Sequence, residues 1–194
     1  SEALPRLEGQ FPPACIRFLE ETHRRRYPVY ANDFSLLFKY RLLTESRESL
    51  VRYQDVTEDL ANRIWNHRND FITMDQFCDL LKTRDMTYAR LSRCLFHILL
   101  GITRGDMLSF QEAGGCGYAR ILGFRQDSTA LLTHIKEHTQ IPLITKLSQG
   151  DTLTGPAARM LELDLFAADL YESVITEKYK LPFINEYQQQ IVRC

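Results

Sequence analysis

Apolar residues recur at helical spacing through most of the chain, and polar residues between them mark where helices begin. Thr57, Thr73 and Thr87 each precede an apolar run, and a threonine hydroxyl there can accept one of the first unpaired backbone N–H groups of a helix. Segment 34–43 has apolar residues around most of its circumference, which predicts a buried helix. A long final helix is predicted over 157–177. The pattern therefore predicts a bundle of helices.

A different pattern occupies the middle of the chain. The glycine-rich segment 114–117 breaks the helical spacing, and short strands are predicted over 118–124 and 142–147 with an amphipathic helix over 127–138 between them. Strand, helix and strand within about 30 residues are typical of a parallel βαβ unit. The predicted fold class is mainly α, a helical bundle with a small βαβ insertion of two parallel strands. The predicted domains are 1–110 for the bundle, 111–150 for a small α/β element packed on it, and 151–194 for a long C-terminal helix that returns to the bundle and ends in a tail.

Composition narrows the class of protein without identifying it. The hydrophobic share of 44% and the charged share of 25% are ordinary for a soluble globular chain. With a net charge of −1, any contact with nucleic acid has to depend on local arginines and lysines. The five cysteines form no CxxC pair, which favours a reducing compartment, so we expect a cytoplasmic protein. The longest apolar run, 95–102, is far too short to cross a bilayer, and no membrane partner is expected.

The central helix of the bundle carries a stripe of arginines on an otherwise apolar rod. Arg90 and Arg93 lie three residues apart and so share one face of the helix. Guanidinium groups bind phosphate oxygens in a bidentate manner, which favours a nucleic-acid contact. A buried arginine equally requires an acidic partner within the bundle, and Asp164 and Asp169 are the candidates. Both interpretations stay open on the sequence alone.

Motifs for metal binding or catalysis are weak. His134 and His138 lie four residues apart on a predicted helix, a spacing that can bind a transition metal. The HExxH order is missing, so we expect no metal site. The glycines of 114–117 are followed by no Gly-Lys-Ser/Thr, which predicts a flexible loop instead of a phosphate cradle. We predict no catalytic residues in this chain.

Ordered segments of the chain resemble a known family. Phe34–Leu43 is similar to the motif F-x-x-L-L-K-Y-R-L-L, and Lys82–Arg93 with 95–100 is similar to K-T-K-x-x-T-x-x-R-[IL]-x-R-x-L-x-H-I-L-L. Segments 118–124, 142–146 and 162–171 follow in the family's order. Together these segments resemble the tRNA(Met) cytidine acetate ligases, a bacterial family of HIGH-type nucleotidyltransferases. The resemblance covers the chain from Pro28 to Tyr171.

The resemblance implies a two-part enzyme. The family activates acetate with ATP to acetyl-adenylate and then acetylates the wobble cytidine of elongator tRNA(Met), with its nucleotide chemistry in an N-terminal Rossmann-like domain. Because no H-x-G-H motif occurs in the sequence, we expect the chain to be the C-terminal region alone, a helical tRNA-docking or scaffold part that is not catalytic. We expect no cofactor in this chain, with ATP and acetate used by the parent enzyme. The expected partners are tRNA and the missing N-terminal nucleotide-binding domain.

Seven basic residues of these family-like segments are predicted to bind RNA: Lys39, Arg41, Lys82, Arg84, Arg90, Arg93 and Lys146. An alternative hypothesis is a structural or interaction module that braces a nucleotidyltransferase domain and makes no direct RNA contact. A third is an autonomous metal protein built on His134 and His138.

Overall fold

Helices form most of the computed structural model, which describes Arg6 and residues 9–193. Its helices are α1 Pro13–Thr22, α2 Ser35–Thr44, α3 Arg47–Leu50, α4 Glu58–His67, α5 Met74–Leu81, α6 Tyr88–Leu100, α7 Arg104–Glu112, α8 Thr129–His138 and α9 Gly155–Tyr179. Its strands are β1 Ala119–Arg120, β2 Gly123–Phe124, β3 Leu143–Ile144 and β4 Val192–Arg193.

Threonine hydroxyls begin three consecutive helices, as the sequence predicts. Thr57, Thr73 and Thr87 each accept a hydrogen bond from the backbone N–H three residues further on, at the starts of α4, α5 and α6. Each such cap stabilises its helix by about 1 kcal/mol. Helix α6 ends at Gly101, whose φ of 73° lies in the left-handed region that glycine adopts without steric cost.

The larger core lies where α2, α4, α5 and α6 meet. Phe38, Phe77 and Leu95 are each no more than 1% exposed there. Burying a side chain of this size contributes about 1.5–3 kcal/mol relative to leaving it in water. This core fixes the position of α6 and of the loop that precedes it.

Helix α2 is buried on one side only. Phe38 and Leu42 face the larger core, whereas Leu36, Tyr40 and Leu43 are 79%, 68% and 52% exposed. These three exposed residues follow each other at helical spacing and form a second face. The predicted burial of this helix therefore holds for one face only, since the other face does not reach the core.

Helix α9 joins the larger core to a smaller one. It begins with Pro156 in its first turn and is 25 residues long, or about 37 Å at 1.5 Å per residue. Near its start Leu161 packs with Ile144 and Leu147 in the smaller core, and further along Val174 reaches the larger core. Among the described residues, no helix combines the length and the hydropathy that crossing a bilayer requires.

Two parallel strand pairs lie beyond α7. Strands β1 and β3 pair in parallel, with Arg120 opposite Ile144 and with α8 as the connection between them, as the strand–helix–strand pattern predicts. Strands β2 and β4 also pair in parallel, with Gly123 opposite Val192. The second pair brings the C-terminal segment next to the βαβ unit.

The predicted fold class, a mainly α bundle with one small insertion, is wrong. Helices are connected to two parallel strand pairs, so the fold is α/β. The physical reason is the length of β4, which the sequence did not predict, because a strand of two residues is too short for a period-two pattern to show. The pairing of β4 with β2 also depends on a contact between segments that lie far apart in the chain.

Candidate functional site

A cavity of 1020 Å³ lies at the carboxyl end of the β1–β3 pair, and we call it the strand-end cavity. Its walls come from the residues that follow β1 and β3, namely 121–122 and 145–148, and from the C-terminal segment 186–193. Ligands of open α/β sheets bind in the crevice outside the carboxyl ends of parallel strands. The fold therefore makes this cavity the first candidate for a ligand site.

An ion pair joins two walls of the strand-end cavity. A guanidinium nitrogen of Arg120 lies 2.5 Å from Oε2 of Glu186, and both side chains are mostly buried. The side-chain amide of Gln189 donates a second hydrogen bond to Glu186, at 3.3 Å. This pair holds β1 against the C-terminal segment, and its two charges compensate each other.

Two further cations of the cavity have no such compensation. Among the described residues, no carboxylate lies within 4.0 Å of the Lys146 ammonium or of the Arg193 guanidinium, and both side chains are exposed. The Arg193 guanidinium lies over the ring of Phe124, 6.0 Å from its centroid. The strand-end cavity thus carries uncompensated positive charge, to which an anionic group is attracted.

A second basic surface lies on the α5–α6 loop and the exposed face of α6. We call it the α5–α6 basic surface, and it consists of Lys82, Arg84, Arg90 and Arg93, all of which are exposed. Nε of Arg93 lies 3.0 Å from Asp55 Oδ2, and the Arg93 side chain remains 59% exposed. For Lys82, Arg84 and Arg90, the described part of the chain places no carboxylate within 4.0 Å. Three of the four charges are therefore available to a ligand.

Lys39 has internal hydrogen-bond partners. Its ammonium donates to the carbonyl oxygens of Arg68, Asn69 and Phe71, at 3.2, 3.3 and 3.2 Å. These carbonyls belong to the turn between α4 and α5. The lysine thus satisfies main-chain acceptors at the end of a helix, and this role accounts for its position.

Arg41 also makes contacts within the protein. Its Nε donates to the carbonyl of Ile98 at 3.1 Å, and a terminal nitrogen donates to the Tyr53 hydroxyl at 2.6 Å. The same nitrogen lies 3.2 Å from Oε1 of the buried Glu45. Arg41 therefore ties α2 to the end of α6.

The acidic residues suggested as partners of the arginine stripe lie elsewhere. Arg93 pairs with Asp55, whereas Asp164 accepts a hydrogen bond from the Tyr118 hydroxyl. Burial and this hydrogen bond raise the pKa of Tyr118 above its ordinary value. Oδ1 of Asp169 is buried and has no hydrogen-bond partner among the described residues. The sequence suggested the right kind of contact for Arg93 but the wrong carboxylates.

The two histidines of α8 come together with a glutamate. His134, Glu137 and His138 are all exposed, and one donor atom of each lies within 4.8 Å of the others. The His138 ring nitrogen Nδ1 lies 2.8 Å from the His134 carbonyl oxygen. The expectation of no metal site remains an expectation.

Of the residues predicted to bind RNA, only Lys146 lies in the strand-end cavity. Sequence reasoning missed Arg120, Glu186, Tyr187 and Arg193, which line the same cavity. Three of these four belong to the C-terminal segment, which carries no recognisable motif. Tyr187 and Arg193, the aromatic and the basic residue of segment 186–193, were the available signal.

The architecture defines the class of protein first. The chain matches a crystal structure of Thermotoga maritima TmcAL in its apo form with a TM-score of 0.84 over 98% of this chain and 49% of that one, at 14% identity. A second structure, of the same protein bound with alpha-thio ATP, matches with a TM-score of 0.83 over 99% of this chain and 51% of that one, at 15% identity. At these identities the likeness establishes the fold alone, an α/β fold that this chain shares with Thermotoga maritima TmcAL.

The sequence comparison then gives the family. The model described as HIGH Nucleotidyl Transferase matches residues 1–185, and the chain belongs to this family. The tRNA(Met) cytidine acetate ligase of Bacillus subtilis is 31% identical over 95% of this chain and 46% of the relative. That of Acetivibrio thermocellus is 34% identical over 90% of this chain and 41% of the relative. The chain thus spans less than half the length of these curated relatives.

These matches correct two predictions and leave a third without support. The chain was expected to be a C-terminal region without the nucleotidyltransferase part, and this is wrong because the nucleotidyltransferase model itself matches residues 1–185. The expected partnership with a separate N-terminal nucleotide-binding domain finds no support in them. The expectation that no cofactor belongs to this chain is also overturned, since a structure that shares its fold holds an ATP analogue.

Proposed function

We propose that this chain takes part in the ATP-dependent acetylation of a cytidine in tRNA(Met). The observation that carries the proposal is the match of the nucleotidyltransferase family model over residues 1–185, together with relatives named tRNA(Met) cytidine acetate ligase that align over most of the chain. ATP and acetate are the proposed small substrates and tRNA is the proposed macromolecular one. The cytoplasm is the proposed location, because that is where bacterial tRNA is modified.

The α5–α6 basic surface is the proposed contact with the tRNA backbone. Lys82, Arg84 and Arg90 are exposed and carry charges that no described carboxylate compensates within 4.0 Å. Guanidinium and ammonium groups in this state bind phosphate oxygens and release counterions from the nucleic acid. Because the chain has a net charge of −1, these local cations would have to supply the attraction. Lys39 and Arg41 are left out of this surface, since internal contacts occupy them.

The activity is tested by incubating the protein with tRNA(Met), ATP and radiolabelled acetate. The label should enter the tRNA only when ATP is present, and nuclease digestion followed by chromatography should recover it in acetylated cytidine. A matched tRNA(Met) with uridine at the target position serves as the control and should remain unlabelled. If the folded protein labels neither tRNA, or labels both equally, the proposed function is wrong.

The tRNA contact is tested separately by reversing charges on the α5–α6 basic surface. Arg84→Glu and Arg90→Glu should each raise the Kd for tRNA about tenfold, equivalent to about 1.4 kcal/mol. Each should also lower the slope of log K against log salt by about 1, as the loss of one phosphate contact requires. Arg17→Glu reverses an exposed charge on α1 and is the matched control. If the three variants bind equally well, this surface does not contact tRNA.

A further inference from the structure

We propose that the strand-end cavity binds one unstacked nucleotide of the RNA substrate, with a backbone phosphate at Lys146 and the base against Tyr187. Both residues line the cavity. The inference rests on the proposed function, to which it adds a subsite on a different part of the surface from the α5–α6 basic surface. The charge of the cavity, the exposed ring of Tyr187 and the cavity volume support this subsite.

The charge of the cavity matches a phosphodiester. Arg120 is already compensated by Glu186, whereas Lys146 and Arg193 have no carboxylate within 4.0 Å in the part of the chain that the structure describes. A phosphodiester carries a single negative charge, so either of the two cations is sufficient to neutralise it. A free nucleoside triphosphate carries several charges and is usually held by a cradle of backbone N–H groups at a helix N-terminus. The cavity walls are formed by strand ends, the first residues of a short 3-10 helix (Leu147–Thr152) and the C-terminal segment, and none of the lining residues begins an α-helix, so a single phosphate is the better match.

An exposed aromatic ring supplies a stacking surface next to this charge. Tyr187 is 58% exposed although it lines the cavity. Stacking of a base on an aromatic side chain is worth about 1–3 kcal/mol and tolerates any base. Ser148 and Gln190 line the same cavity and offer a hydroxyl and an amide, which can hydrogen-bond to base edges.

The size and the apolar lining of the cavity suit a nucleotide. A volume of 1020 Å³ lies just above the range of about 300–1,000 Å³ that ligand pockets occupy, so a nucleotide fits within it. Leu122 and Val192 line the cavity and are 67% and 61% exposed, so they offer the base an apolar surface. A nucleotide that leaves its stack exposes both its base and its phosphate, and single-stranded RNA is recognised in this way.

The experiment measures binding of a fluorescein-labelled, single-stranded tetraribonucleotide to the protein by anisotropy. Lys146→Ala and Tyr187→Ala should each raise its Kd about fivefold or more, as the loss of one phosphate contact or one stacked base predicts. Tyr187→Phe keeps the ring and should restore the affinity. Lys136→Ala on α8 and Tyr40→Ala on α2 remove an exposed lysine and an exposed tyrosine outside the cavity, and both should leave the Kd within twofold of the original value.

Three results would overturn the inference. The first is the absence of tetranucleotide binding at millimolar concentration. The second is that Lys146→Ala and Tyr187→Ala behave like Lys136→Ala and Tyr40→Ala. The third is that ATP binds in a Lys146-dependent manner while the tetranucleotide does not, which would make the cavity a site for a free nucleotide. Parallel acetylation assays separate the two proposals. Oligonucleotide binding without acetylation contradicts only the proposed function. Acetylation without cavity-dependent binding contradicts only the subsite.

Discussion

The buried carboxylate of Glu45 should be one of the most sensitive positions for stability. It accepts hydrogen bonds from the hydroxyls of Ser49 and Tyr53, and guanidinium nitrogens of Arg41 and Arg52 lie 3.2 and 3.4 Å from it. Burial opposes ionisation of Glu45, but these hydrogen bonds and charges outweigh it and lower its pKa. Glu45→Ala would leave the Tyr53 hydroxyl, in a side chain that is fully buried, without its acceptor.

The size of the destabilisation by Glu45→Ala depends on how exposed the partners of Glu45 are. Removing one member of a fully buried ion pair costs about 3–5 kcal/mol, and an unsatisfied buried hydroxyl costs about 1–3 kcal/mol. The Arg52 side chain is 57% exposed and can be solvated by water when Glu45 is removed. Its ion pair with Glu45 therefore contributes about 0–1 kcal/mol to the free energy of unfolding, as surface pairs do. We therefore expect Glu45→Ala to lower the free energy of unfolding by about 3 kcal/mol. For a chain of this size the Tm should fall by about 6–12 °C.

Urea denaturation followed by circular dichroism measures this loss, with Glu112→Ala, an exposed position at the end of α7, as the control. The pH dependence gives an independent test. Because the pKa of Glu45 is lower in the folded protein, its contribution is present above the ordinary glutamate value of about 4.3 and is lost as the pH falls through the folded pKa. Glu45→Gln should reduce this loss of stability at acidic pH. A destabilisation by Glu45→Ala no greater than that of the control would refute the reasoning.

Two further predictions concern the packing of Gly117 and the reactivity of Cys78. Gly117→Ala should destabilise the protein by about 1–3 kcal/mol, because a Cβ at Gly117 would lie 2.7 Å from the Cβ and 2.8 Å from the Cα of Ala157. Urea denaturation measures this loss of stability, and the control Gly105→Ala inside α7 should cause none. Equal destabilisation by the two variants would contradict the close packing of Gly117 against Ala157. Burial raises the pKa of the Cys78 thiol to about 12, so iodoacetamide at pH 8 should modify the exposed Cys116 and spare Cys78 in the folded protein. Peptide mass spectrometry reports both sites, and equal rates of modification would show that Cys78 is accessible.

The helices were predictable from the sequence because they depend on local interactions. The pairing of β2 with β4 was not, because it depends on residues far apart in the chain. The threonine caps of α4, α5 and α6 involve only residues three positions apart, so a local pattern is sufficient to find them. The parallel pairing of β2 with β4 depends on contacts between distant segments of two residues each. Strand β4 is too short to leave a periodic pattern, so its pairing and the fold class were missed.

The same distinction applies to the basic residues of the candidate sites. Lys39 and Lys82 both lie in family-like segments, yet only Lys39 has three main-chain carbonyls within reach, because the turn between α4 and α5 folds back against α2. Lys146 was identifiable from its segment, whereas Tyr187 lines the same cavity because β4 of the C-terminal segment pairs with the distant β2. The availability of a cation to a phosphate thus depends on which internal acceptors the fold brings to it. A basic residue in a motif can be assigned to an RNA contact only after those acceptors have been located.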